Sequence, residues 1–222
     1  MQQCTTAQLF DLEHTAAKSY LQQFEYPWQA LDGISNFILQ LGSQLSQEEY
    51  HHPAPDVWIA KSAKVAPTAS ISGPCLIQAN AEVRHCAFIR GSALVGEGAV
   101  VGNSTELKNC ILFNGAQVPH FNYVGDSILG YKAHMGAGAV TSNLKSDKTL
   151  VTIRHKGQTL ETGRKKFGAM VGDECEVGCN SVLCPGTVLG KHSQIYPTSC
   201  VRGVVEQNHI YKSAQQIGRA HV

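Results

Sequence analysis

The sequence predicts an all-β main domain, a left-handed parallel β-helix of hexapeptide repeats, with a small N-terminal α-helical cap and an extended loop. Three observations lead there. Counting in sixes from Ile59 gives Val65, Ile71, Ile77, Val83, Ile89, Val95, Val101 and Leu107; a second run reads Val171, Val177, Leu183, Leu189, Ile195 and Val201. Two positions before each aliphatic residue the side chain is small, as in Ala63, Ala69, Cys75, Ala81, Ala87, Ala93, Ala99 and Thr105. A period of six matches neither the three-and-four spacing of an amphipathic helix nor the long alternation of an ordinary strand. It matches a coil of three short strands per turn, in which equivalent residues of successive turns stack about 4.8 Å apart. The aliphatic residue then fills a narrow interior, and the small one sits where the chain turns.

Each element follows from its own pattern. Residues 1–56 read as cap and linker. LFDLEHTAAKSYLQQF and PWQALDGISNFILQL carry apolar residues at helical spacing, Pro27 suits a helix start, and HHPAPD at 51–56 is a linker with solvated histidines. The coil occupies residues 57–205, and between its two runs the register slips but continues through Leu112, Val118, Val124, Leu129, Met135 and Val140. Over residues 141–166 the hexads vanish. This stretch reads as a loop ejected from the coil, with LVTIR and TLET pairing as a hairpin around His155 to Gln158. Residues 206–222 form a tail, read as a last helix covering the open end of the coil. Gly96, Gly102, Gly172, Gly178 and Gly190 follow aliphatic positions and are assigned to bends. They do not form a phosphate-binding loop, because no strand-to-helix context surrounds them.

Charge and cysteine usage narrow the function classes. With 18 Lys and Arg against 17 Asp and Glu in 222 residues, no global field invites nucleic acid or an anionic membrane. MQQCTTAQLFDLEH lacks the features of a signal peptide, and no segment approaches the roughly 20 apolar residues of a membrane span, so a cytoplasmic location is expected. The eight cysteines include no CxxC pair, and no metal site is expected from their spacing.

A coil of this kind has no interior cavity, so a site must lie on an outer face, at the loop or between subunits. Arg90 and Lys108 each follow an inward aliphatic residue one full turn apart, so they stack on one face. Two cations so close suit a phosphate, or else two solvated side chains pointing apart. Tyr123 and the approach to Asn143 continue that face, and His120 lies at the corner beside it. Lys145, Lys148, Arg154, Lys156, Arg164, Lys165 and Lys166 make the loop basic, a set able to clasp phosphates or simply to be solvated.

From Arg90 to Asn143 the sequence resembles the C-terminal acetyltransferase domain of the bifunctional N-acetylglucosamine-1-phosphate uridylyltransferases, most specifically in VGNSTELK, PHFNYVGD and GAGAVTSN. Weaker similarity continues from Val171 to Val201. The resemblance implies a homotrimer that transfers the acetyl group of acetyl-CoA to the amine of glucosamine 1-phosphate or a related sugar phosphate or nucleotide sugar, without a metal. It implies that His120 is the general base, that Arg90 and Lys108 hold the phosphate, and that Tyr123 contacts the sugar. His134 falls on a sugar-binding asparagine, while Ala137, Asn143, Leu144 and Cys179 fall on positions beside acetyl-CoA, Cys179 replacing a serine. Pro197 stands in place of a small alanine, and the long loop departs from the family pattern. The nucleotidyltransferase domain of that family has no counterpart here, so the chain is not expected to make UDP-sugars by itself. Outward Phe113, Phe121 and Tyr123 offer apolar material for a subunit contact. Two rival readings are a non-catalytic trimeric subunit binding nucleotide sugar or CoA, and a zinc hydratase using His85, His120 and His134. The second lacks the ligand pair separated by four residues that such hydratases carry.

Overall fold

The computed structural model describes residues 1–213 and, for the backbone alone, Gln216–Arg219. From Val57 onward the chain winds as a left-handed parallel coil with three faces. One face, here the site face, stacks Ser70–Ile71, Phe88–Ile89, the first halves of Glu106–Leu112 and Tyr123–Leu129, Val140–Thr141, Val182–Leu183 and Cys200–Val201. The next face begins with Val57–Ala60 and ends with Val204–Val205, and the third runs from Lys64–Val65 to His209–Ser213. From Ile77 to Leu107, and again from Val171 to Val201, the inward aliphatic residues are buried. Each such side chain contributes about 1.5–3 kcal/mol by leaving water. Ile59, Val65 and Ile71, in the first turns, are only partly buried.

The slip read after Leu107 is present: Leu107 pairs with Val124, so this turn is one residue shorter than its predecessor, in which Ile89 pairs with Leu107. Two other details depart from the sequence reading. Val140, expected inward, pairs with Tyr123 and Val182 as an outward neighbour, and fully buried Thr141 takes the interior place. A hydroxyl is tolerated there because Thr141 Oγ1 accepts the Gly125 N–H at 2.9 Å where the loop interrupts the ladder. The glycines after aliphatic positions are not bends either. Gly102 has no left-handed φ, and a Cβ on it would lie 1.6 Å from the Pro119 carbonyl oxygen, so close stacking of turns is what excludes a side chain. The left-handed corners fall on other residues, among them Ser92, Asn109 and Asp126 at one edge of the site face and Ser104 and Phe121 at the other.

The N-terminal segment does not sit on the end of the coil. Its short helices, the longest being Ile34–Gly42, lie along the second face, where Trp28, Leu31, Ile34 and Ile38 cluster with outward Leu76, Leu94, Ile111, Ile128 and Met170. Pro27 opens the turn Pro27–Asp32, as expected. Phe113, read as material for a subunit contact, is instead buried under the cap with its ring 5.1 Å from Phe10. The expected linker is a strand, Tyr50–Ala54, paired antiparallel with Val57–Ala60 at the edge of the sheet, where it satisfies backbone groups that would otherwise be open.

The loop after Thr141 contains the expected hairpin, Thr152–His155 with Gln158–Glu161. It is not ejected: Val151 and Ile153 are buried in the same cluster as the cap, and Arg164 makes a two-pronged ion pair with Asp32 at 2.7 and 2.8 Å. The tail read as a helix is a strand over the described residues, His209–Ser213, paired antiparallel with Gln216–Arg219. Tyr211 fills the interior position above Ile195, so the coil continues into the tail. Residues 214, 215 and 220–222 of that expectation lie outside the described residues.

Candidate functional site

Arg90 and Lys108 stand on adjacent turns of the site face, as their spacing predicts, but each is matched by its own carboxylate. Arg90 Nη1 donates to Glu106 at 2.7 Å, and Lys108 Nζ donates to both oxygens of Asp126 at 3.0 and 3.1 Å. Asp126 is the anchor of this edge, its side chain only 3% exposed. It also accepts from Asn109 Nδ2 at 2.8 Å and Asn143 Nδ2 at 2.6 Å. Asn143 in turn donates to the Tyr123 hydroxyl at 3.2 Å. Burial, reinforced by the negative charges of Asp126 and Glu106, raises the Tyr123 pKa, so the phenol stays protonated and its O–H is free to donate to a ligand. Arg90 keeps most of its N–H donors uncommitted among the described residues, so a phosphate can join this group without breaking the existing pairs.

His120 lies at the opposite edge of the face, exposed, at the end of strand Gln117–His120 and just before the left-handed Phe121. Its backbone N–H donates to Asn122 Oδ1 at 3.1 Å. Asn122 is buried and pins this corner by donating to the carbonyls of Gly136 and Ala139 at 2.8 and 3.0 Å. Sequence reasoning missed Asn122, Asp126 and Glu106. Asn122 occupies the position between Thr105 and Ala139 in the register of small residues, and that break was its one visible signal.

The residues that resemblance assigns to acetyl-CoA divide between the two edges. The carbonyls of His120, Ala137 and Cys179 accept in succession from Gly138, Asn180 and Thr198, so these three residues form one column along the His120 edge. Asn143 and Leu144 lie at the other edge, where the Asn143 carbonyl accepts the Phe167 N–H and Leu144 bridges to Lys166 as the loop closes. The two groups lie at opposite corners of the face, which fall five residues apart at Phe121 and Asp126. His134 belongs to the third face, paired with Gln117 and Glu176, and its Nδ1 is 2.7 Å from Glu176. The loop cations do not act as one set. Lys145 meets Thr149, Lys156 meets Glu206, and Arg164 meets Asp32, in three separate places. Among the described residues of the single chain, no three His, Cys, Asp or Glu side chains converge as metal ligands. No helix among them is long and apolar enough to cross a membrane.

Parts of the chain match known proteins. The GMPPB C-terminal domain matches residues 71–155. The bifunctional sugar-1-phosphate nucleotidylyltransferase/acetyltransferase of Sulfurisphaera tokodaii is 32% identical over 125 residues, covering 56% of this chain and 31% of that protein. The bifunctional protein GlmU of Methanococcus maripaludis is 30% identical over 217 residues, covering 89% of this chain and 49% of that protein. The chain thus spans about half the length, or less, of these relatives. Among solved structures, a mutant of the GDP-perosamine N-acetyl transferase of Caulobacter crescentus with CoA and GDP-perosamine is 14% identical at a TM-score of 0.34, covering 86% of this chain and 67% of that one. At that distance it says nothing of the site. The chain is a hexapeptide-repeat β-helix, similar along most of its length to the GlmU proteins.

Proposed function

We propose that the chain is an acetyl-CoA-dependent N-acetyltransferase acting on an amino sugar that carries a phosphate, glucosamine 1-phosphate being the reference acceptor. The supporting observation is the order of groups across one face: His120 at one edge, Tyr123 next to it, and Arg90 and Lys108 toward the other. An amino-sugar phosphate has the same order of amine, ring and phosphate. In this reading the amine attacks the thioester carbonyl as His120 takes its proton. The C–N bond forms, the C–S bond breaks, and the protonated imidazole returns the proton to the leaving thiolate. Backbone N–H groups stabilise the developing oxyanion.

Acetyl-CoA lies along Ala137 and Cys179 beneath His120. Asn143 and Leu144, at the far edge, serve the cofactor of a neighbouring subunit in a homotrimer. Exposed Phe121, with 62% of its surface open and a left-handed φ of 52°, supplies the apolar contact between subunits. The test is a thiol-release assay with acetyl-CoA against amino sugars and their 1-phosphates. Release that depends on an amino-sugar phosphate supports the reading; release from no acceptor in the panel refutes it.

A further inference from the structure

An open cleft of about 730 Å³ lies where the cap, the returning arm of the loop and the coil meet. Its floor is the corner formed by Ser92, Asn109 and Asp126, with Lys108 beside them; Arg164, Lys165 and Lys166 form one wall, and Gln29, Asp32 and Ser35 of the cap the other. Lys108 belongs both to this cleft and to the site face. A ligand running from His120 past Tyr123 to Lys108 therefore continues over the corner into it.

The charges of the cleft are not balanced. Asp126 matches Lys108 and Asp32 matches Arg164, but Lys165 and Lys166 have no carboxylate partner among the described residues. The backbone that carries this pair is held on both sides. Arg164, its side chain 12% exposed, is forked onto Asp32, and Lys166 is bridged to Leu144 on the other side. The opposite wall carries the neutral amide of Gln29 and the hydroxyl of Ser35, groups suited to hydrogen-bonding an uncharged heterocycle or ribose. The volume falls within the range of about 300–1,000 Å³ usual for small-molecule sites and far exceeds what one phosphate needs.

We infer that this cleft takes a nucleoside diphosphate, so that the amino sugar is presented as its nucleoside diphosphate derivative. The phosphate next to the sugar meets Arg90 and Lys108, the second meets Lys165 and Lys166, and the nucleoside lies toward Gln29 and Ser35. The direction of the sugar rests on the proposed acetyltransferase reading; the cleft itself does not.

Titration calorimetry separates the two. The full chain is titrated with uridine, guanosine, adenosine and thymidine diphosphates and the corresponding monophosphates, and so is the variant Lys165→Ala/Lys166→Ala. At least one diphosphate is expected to bind about tenfold or more tighter than its monophosphate, with that ratio falling to about threefold or less in the variant. Both lysines are exposed, so the melting temperature of the variant serves as the folding control. Equal affinity for every diphosphate and monophosphate, or a ratio unchanged by the substitutions, overturns the inference. Diphosphate preference without thiol release from any acceptor keeps the cleft and removes the acetyltransferase reading. Thiol release with no diphosphate preference does the reverse.

Discussion

Asp126 accepts from Lys108, Asn109 and Asn143 at once, while nearly excluded from water. Removing its carboxylate leaves Lys108 without its counter-charge and two amides without an acceptor. Asp126→Ala is therefore expected to lower unfolding stability by about 3 kcal/mol in denaturant titration, and a loss under about 1 kcal/mol contradicts the role given to it. Arg90 and Lys108 were legible in the sequence because stacking on a regular coil depends only on spacing. Glu106 and Asp126 were not, because spacing cannot say which way a side chain turns at a corner. Asp126 also sits at a left-handed position, where Asp and Asn are common for backbone reasons alone, and this masked its role as an acceptor.

The loop is the element where sequence and structure differ most, because its attachments join residues far apart in the chain. Arg164 lowers the pKa of Asp32 chiefly through its hydrogen bonds, and Lys156 does the same to Glu206. Both carboxylates thus have folded pKa values below their ordinary 3.8 and 4.5. The clamps are fully present above those ordinary values and are lost as pH falls through the lowered ones. Amide hydrogen exchange over residues 144–166, corrected for intrinsic rates, should be faster at about pH 3 than at pH 5. Equal protection at pH 3 and pH 5 is incompatible with clamping by these pairs.

The cap shows a related limit of sequence reading. Its helical pattern was visible, but its place was not, although the triplets CLI, ALV, CIL, SIL and AMV put an apolar residue outward on every turn of the face that it covers. Phe113→Ala removes the ring that Phe10 packs on and is expected to cost about 3–5 kcal/mol. The loss should be equal at low and high protein concentration, since the contact lies within one subunit. A loss that grows on dilution returns Phe113 to a subunit interface.

At the scale of the molecule, the hexad register specified the coil because every turn repeats one steric demand: an aliphatic residue inside, a small one at the corner. The site was legible only in part, since the coil brings His120, Ala137 and Cys179 to one edge and Asn143 and Leu144 to the other. That division is why a homotrimer enters the proposed function. Light scattering is expected to give a mass about three times the 24.0 kDa of the chain, and a stable monomer contradicts a site shared between subunits.

The central claim is acetyl transfer with His120 as base, and one comparison bears on it most directly. Thiol release from acetyl-CoA with glucosamine 1-phosphate and with nucleoside diphosphate amino sugars is measured for the unaltered chain and for His120→Ala, with product mass confirmed. The account predicts an N-acetylated product from at least one acceptor, with the rate falling about 10²–10⁴-fold in the variant while acetyl-CoA binding is retained. Equal rates in the two proteins would contradict the assignment of His120, and no product from either would contradict the transferase itself.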